Sequence, residues 1–229
     1  MRKMLAAATF AAGLTVAGAA FAAAPAAQAA NTGPWSIELF TSQGCSSCPP
    51  ADKKLGELAR RPDIVALSFH VDYWDYIGWK DPFASREMTD RQKMYGRTLR
   101  QESIYTPEMV FDGAAHDPGT RASDVEALLE AARRRTSERA TPKLTRTDDG
   151  TLAIALEPFT LDRYGAEIML AVYDLKHTTP VRRGENQGAT LDNFNVVRRL
   201  DVGSSDRAFA FFTQAQGDFV TVEQLEDHA

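Results

Sequence analysis

Two cysteines three residues apart, Cys45 and Cys48, constrain this chain more than any other feature. They lie in Thr41-Ser42-Gln43-Gly44-Cys45-Ser46-Ser47-Cys48-Pro49-Pro50, between a strand pattern and a helix pattern. Trp35, Ile37 and Leu39 alternate with Ser36 and Glu38; Ala51, Leu55, Leu58 and Ala59 then recur at helical spacing. C-x-x-C at such a junction reads as a redox pair. At a helix start the two sulfurs reach bonding distance, and the first is free to stay exposed. Local amides and the helix dipole favour its thiolate. Cys45 is then expected to attack and Cys48 to resolve the mixed disulfide. Cys48 precedes a proline, which predicts non-helical geometry there and a late helix start.

Two other readings of the pair stay open. A bridge across so short a loop removes little unfolded-state entropy, which makes it a poor stability device. A Cu(I) site would need Cys45, Cys48 and a third ligand, for which His70 is the candidate. A four-thiolate zinc site is arithmetically excluded with two cysteines. No cofactor is expected.

The chain opens Met1-Arg2-Lys3, continues through a weakly apolar stretch in which 15 of the first 30 residues are alanine, and reaches Ala27-Gln28-Ala29. This is the form of a secretory signal peptide over residues 1–29. It predicts a periplasmic or secreted protein, in surroundings where a cysteine pair persists as a disulfide. No later segment approaches about 18 unbroken apolar residues, so no stable membrane insertion is expected after cleavage. The formal charge is -5, from 26 basic and 31 acidic residues. That acidic balance argues against a nucleic-acid partner. A redox partner or an extended polypeptide suits the cysteine pair better.

Residues 33–139 read as a βαβαββα unit. A mostly apolar run at 64–71 has the length of a buried strand. Met88, Tyr95 and Leu99 suggest a helix capped by Ser85, and Asp112-Gly113 a hairpin turn. A last helix carries Val125, Leu128, Leu129 and Ala132, with a capping-box pattern at Ser123-Asp124-Val125-Glu126. From Thr141-Pro142 the period shortens to two, as at Leu152, Ile154 and Leu156 and at Ile168, Leu170 and Val172. The expectation is α/β: a three-layer domain, then a small all-β, sandwich-like domain over 142–222 and a tail at 223–229.

Tyr105-Thr106-Pro107 before the third strand resembles the cis-proline of the thioredoxin superfamily. The closer resemblance is to the secreted thioredoxin-like family catalogued as domain of unknown function 1223. It rests on the segments 38–52, His70-Val71-Asp72-Tyr73-Trp74-Asp75, Thr106-Pro107, Gly184-Glu185-Asn186-Gln187-Gly188 and Asn195-Val196-Val197-Arg198. The resemblance implies a thioredoxin-like fold and export. It implies that Pro107 faces the cysteines and, with Thr106, shapes a groove for extended polypeptide. Glu38 falls near the buried acid that thioredoxins keep under their cysteines, which suggests a proton relay to Cys48. Asp72, Tyr73 and Trp74 are candidate walls of the groove. The favoured expectation is a thiol–disulfide oxidoreductase; the alternatives are a binding module with an inert bridge and the Cu(I) protein above. Asp72 with Asp75 also invites a paired-carboxylate hydrolase reading, against which stands an aromatic-packed loop.

Overall fold

A computed structural model describes residues 34–135, 142–146, 152–156, 168–203, 211–212 and 220–221. The expected signal peptide and C-terminal tail lie outside them. Strand β1 (Trp35–Thr41) leads through the cysteine motif into helix α1 (Pro49–Leu58). Strand β2 (Ile64–His70) pairs in parallel with β1, from Trp35 opposite Ile64 to Thr41 opposite His70. Helix α2 (Arg86–Thr98) follows a short 3₁₀ turn at Asp72–Ile77. Its cap is as expected: the Ser85 hydroxyl accepts from the Met88 amide at 3.3 Å. Strands β3 (Glu108–Phe111) and β4 (Ala115–Asp117) form the hairpin, with Asp112 and Gly113 both at positive φ. Helix α3 (Ala122–Arg134) begins one residue before the expected capping box. Ser123 therefore lies inside the first turn, where its hydroxyl contacts Asp124, and no side chain caps the helix.

The remaining strands are β5 (Pro142–Arg146), β6 (Leu152–Leu156), β7 (Ile168–Pro180), β8 (Thr190–Gly203), β9 (Phe211–Phe212) and β10 (Val220–Thr221). Here the expected division into two domains needs correction. β7 and β8 do not stand apart in a sandwich; they complete the main sheet, whose order is β4-β3-β1-β2-β8-β7. β8 pairs in parallel with the edge of β2 opposite β1, through Ser68 and Val196, and β7 pairs antiparallel to β8. The period of two was read correctly as strand. Periodicity carries no information about which sheet a strand joins. β5 with β6 and β9 with β10 form separate two-stranded pairs, and β5 starts at Pro142.

Strand alternation divides the core into two layers. On one face Phe40, Val65, Leu67, Phe69 and Val110 pack with Met88 and Tyr95 of α2. On the other, Ile37, Leu39, Ala66 and Met109 pack with Ala51 and Leu55 of α1 and Val125 and Leu129 of α3. Every residue of β1 and β2 is buried, as expected for central strands covered on both sides. Gly56 of α1 lies against β8, where a Cβ would come within 2.5 Å of the Phe194 ring. The mixed sheet thus presents the end of β1, with its cysteine loop, between α1 and the β7–β8 connection.

Candidate redox site

Cys45 and Cys48 are joined in a disulfide, with Cα atoms 5.5 Å apart. The loop is wound by its own backbone: Cys45 N–H donates to Ser42 O at 3.1 Å and Cys48 N–H to Cys45 O at 3.2 Å. Two expectations about it fail. Cys48 adopts helical geometry despite the following proline, with φ -77° and ψ -36°, and α1 starts at Pro49 without delay. Prolines at the first two helical positions need no amide partners, which offsets the local bias. Cys45 is also not exposed: both cysteines have 0% accessibility, while Ser46 and Ser47 between them face solvent.

The cover comes from two directions. Trp74 and Thr106 form one wall. The Thr106–Pro107 peptide is cis, and the Ser47 hydroxyl reaches Thr106 O at 3.4 Å. Trp74 Nε1 donates to the Thr106 hydroxyl at 2.7 Å, and its Cβ approaches so near that a side chain at Gly44 would lie 3.1 Å from it. The other wall is the β7–β8 connection, residues 181–189. Asn186 Nδ2 donates to both Gln43 O and Cys45 O at 2.9 Å, and the Glu185 carboxylate accepts from Ser46 N–H at 3.1 Å.

Not every candidate groove residue takes part. Asp72 turns toward α2, accepting from the Thr89 hydroxyl at 2.6 Å. Tyr73 packs against the α2-side core, where burial raises its phenol to a pKa of about 12. Asp75 instead accepts from Asp81 N–H at 3.1 Å. With Asp72 and Asp75 tied separately into local structure, the segment is the aromatic-packed turn rather than a carboxylate pair.

Glu38 is not under the cysteines. Its side chain points to the α2 face, where Arg91 donates to both of its oxygens at 2.5 and 2.6 Å and Tyr95 adds a third bond at 2.5 Å. The acid on the α1 side is Asp52. It lies one turn after Cys48 on α1, its amide bonded to Cys48 O at 3.1 Å. Its carboxyl is raised to a pKa of about 7, chiefly by burial; His70, Thr41 and Asn193 beside it partly offset this. Even so, Asp52 Oδ1, Thr41 Oγ1, Asn193 Nδ2 and His70 Nε2 are buried without a well-formed hydrogen bond.

His70 is fully buried, with Nδ1 2.7 Å from Asp81 Oδ2. Burial alone would raise the Asp81 carboxyl, but His70 and the amides of Gln43 and Phe83 outweigh it and hold it below the usual range. Gln43 extends the network, donating to Asn193 Oδ1 at 2.9 Å and accepting from Trp79 Nε1 at 3.1 Å. The copper ligand set is not assembled here. The sulfurs bond each other, His70 Nδ1 is engaged by Asp81, and no group of three His, Cys, Asp or Glu among the described residues is arranged to hold a metal.

The family described as a protein of unknown function, DUF1223, matches residues 36–224. The chain belongs to the DUF1223 family. The DUF1223 fold is also similar to a crystal structure of a protein from Agrobacterium tumefaciens, a structural genomics target. The two share 30% identity over 75% of this chain and 72% of that one, with a TM-score of 0.63. Comparison with curated proteins gave no match. Among the described residues of this DUF1223 protein, no helix is long and apolar enough to cross a membrane.

Sequence reasoning missed Asp52, Asp81 and Asn193. A signal for Asp52 existed, since it is three residues from Leu55 and seven from Ala59, on the apolar face of α1. Asp81 and Asn193 reach the site from a loop and a distant strand, so no local period marks them.

Proposed function

We propose that this chain is an exported, thioredoxin-like thiol–disulfide oxidoreductase acting on protein or small-molecule disulfides. The observation that carries the reading is the Cys45–Cys48 bridge at the β1–α1 junction, walled by Thr106. The sequence of residues 1–29 supports the exported location. In the reduced protein the Cys45 thiolate attacks a substrate disulfide. One substrate sulfur leaves as a thiolate, and the other is held in a mixed disulfide. Cys48, deprotonated, attacks Cys45 Sγ; the second substrate thiolate leaves and the Cys45–Cys48 bond forms. Two electrons pass to the substrate, and the two protons of the dithiol are taken up by the departing thiolates.

A buried Cys48 cannot exchange its proton with bulk water directly. Asp52, rather than Glu38, is the acid suited to exchange it: it is on the same helix face and ionises near neutrality. Pro107 and Thr106 form the substrate wall together with Trp74.

The burial of Cys45 favours a second reading, a binding module with an inert bridge. A redox titration of the pair separates the two. A reduction potential between about -270 and -120 mV fits an oxidoreductase, and one below about -300 mV fits a structural bridge. The Cys48→Ser protein provides the direct check. Trapped mixed disulfides on Cys45 are expected, and their absence together with no exchange on a model disulfide would defeat the oxidoreductase reading.

A further inference from the structure

The connection between β7 and β8 is built as a strap. It is pinched at its neck by Val181 N–H to Ala189 O and Gly188 N–H to Val181 O, both 2.9 Å. Inner bonds from Gln187 N–H to Gly184 O and from Ala189 N–H to Asn186 O make it a compact unit. Gly184 is at φ 76°, and a side chain there would meet Trp79 at 3.1 Å. Beyond that packing, three hydrogen bonds join the strap to the cysteine loop, all from Glu185 and Asn186.

The chemistry of those bonds is specific. Two amide N–H groups of one side chain satisfy the carbonyls of Gln43 and Cys45, and a carboxylate oxygen satisfies the amide of Ser46. An extended polypeptide offers the same functions through its own main chain, N–H donors beside a C=O acceptor. We propose that the strap is an internal stand-in for polypeptide: it closes the disulfide, and a partner chain opens it by taking over its three hydrogen bonds. The partner class rests on the oxidoreductase reading; the closure itself does not. The strap explains why Cys45 is sealed while its two serine neighbours are exposed. It also predicts that small reductants reach the bridge slowly.

The test is the rate at which a water-soluble phosphine reduces the bridge of the purified oxidised protein. Phosphorus attacks Cys45 Sγ and the S–S bond breaks. Water then supplies the oxygen of the phosphine oxide and the protons of the two thiols. Asn186→Ala removes two donors and should speed reduction by about tenfold; Glu185→Ala removes one acceptor and should speed it roughly threefold. Glu185 is exposed, so its variant decides the matter even if Asn186→Ala folds poorly. Folded variants that reduce at the wild-type rate overturn the proposal.

A second measurement addresses the partner. A nine-residue peptide with a central cysteine is compared with N-acetylcysteine amide as attacking thiol. The peptide should be about tenfold faster on the wild type, an advantage lost in Asn186→Ala. Equal rates on the wild type overturn the polypeptide assignment. Phosphine reduction needs no oxidoreductase activity, so faster reduction in the variants beside a potential as low as that of structural bridges would sink the catalytic reading and leave the closure standing.

Discussion

Arg91 grips Glu38 with a two-pronged bond across the α2 face of the sheet, Nε to Oε2 and Nη2 to Oε1, with both side chains buried. The geometry makes Glu38 a structural anchor rather than a proton carrier. Arg91→Leu leaves the buried carboxylate, among the described residues, only Tyr95 to bond, and should cost about 3–5 kcal/mol. Urea unfolding of the oxidised protein measures it. The reduction potential of the cysteine pair should stay unchanged, because the pair lies against the other face.

Asp52 predicts an unusual stability profile. Its folded pKa of about 7 exceeds the ordinary value of 3.8, so the folded state holds a proton that the unfolded state releases. Stability from this group is therefore greatest below pH 3.8 and declines as pH rises toward 7. Its loss is on the order of a few kcal/mol and is complete above that. Asp52→Asn should flatten this slope and raise the thermal midpoint at pH 8 more than at pH 5. Equal shifts at both values would show that Asp52 is ionised throughout.

Gly56 sets the distance between α1 and β8. Gly56→Ala drives a methyl group into the Phe194 ring and should cost about 1–3 kcal/mol, overriding the better helix propensity of alanine. Restoring stability with Gly56→Ala plus Phe194→Leu in a double-mutant cycle would locate the clash.

Reducing the disulfide should matter little for global stability. Its sequence separation of three closes a minimal loop, worth at most about 2 kcal/mol in chain entropy. Denaturant midpoints with and without reductant check this. A much larger loss would assign the bridge a structural purpose.

The first half of the fold was legible because its signals are local. Alternation at 35–39, the Ser85 cap and the Asp112-Gly113 turn each fix their own conformation. The place of the cysteine loop between β1 and α1 was legible for the same reason, but the helical geometry of Cys48 and the burial of Cys45 were not. What stayed hidden depends on partners far along the chain. Nothing near Glu38 reveals Arg91, and nothing near Cys45 reveals that Asn186 will bond its carbonyl. The place of β7 and β8 in the main sheet escaped for the same reason, since strand identity is local and strand neighbours are not.

The pairing of Ser68 with Val196 also sets an order of events during synthesis. Until the segment around Val196 has emerged, β2 remains an open edge and the cysteines lack half of their cover. In that interval the loop that carries Cys45 also lacks the hydrogen bonds of Asn186 and Glu185. A fragment cut near residue 139 would stay in that interval permanently, with an unpaired edge free to recruit other chains. Expression of the first domain-sized stretch alone should therefore yield an aggregation-prone product rather than a minimal redox module.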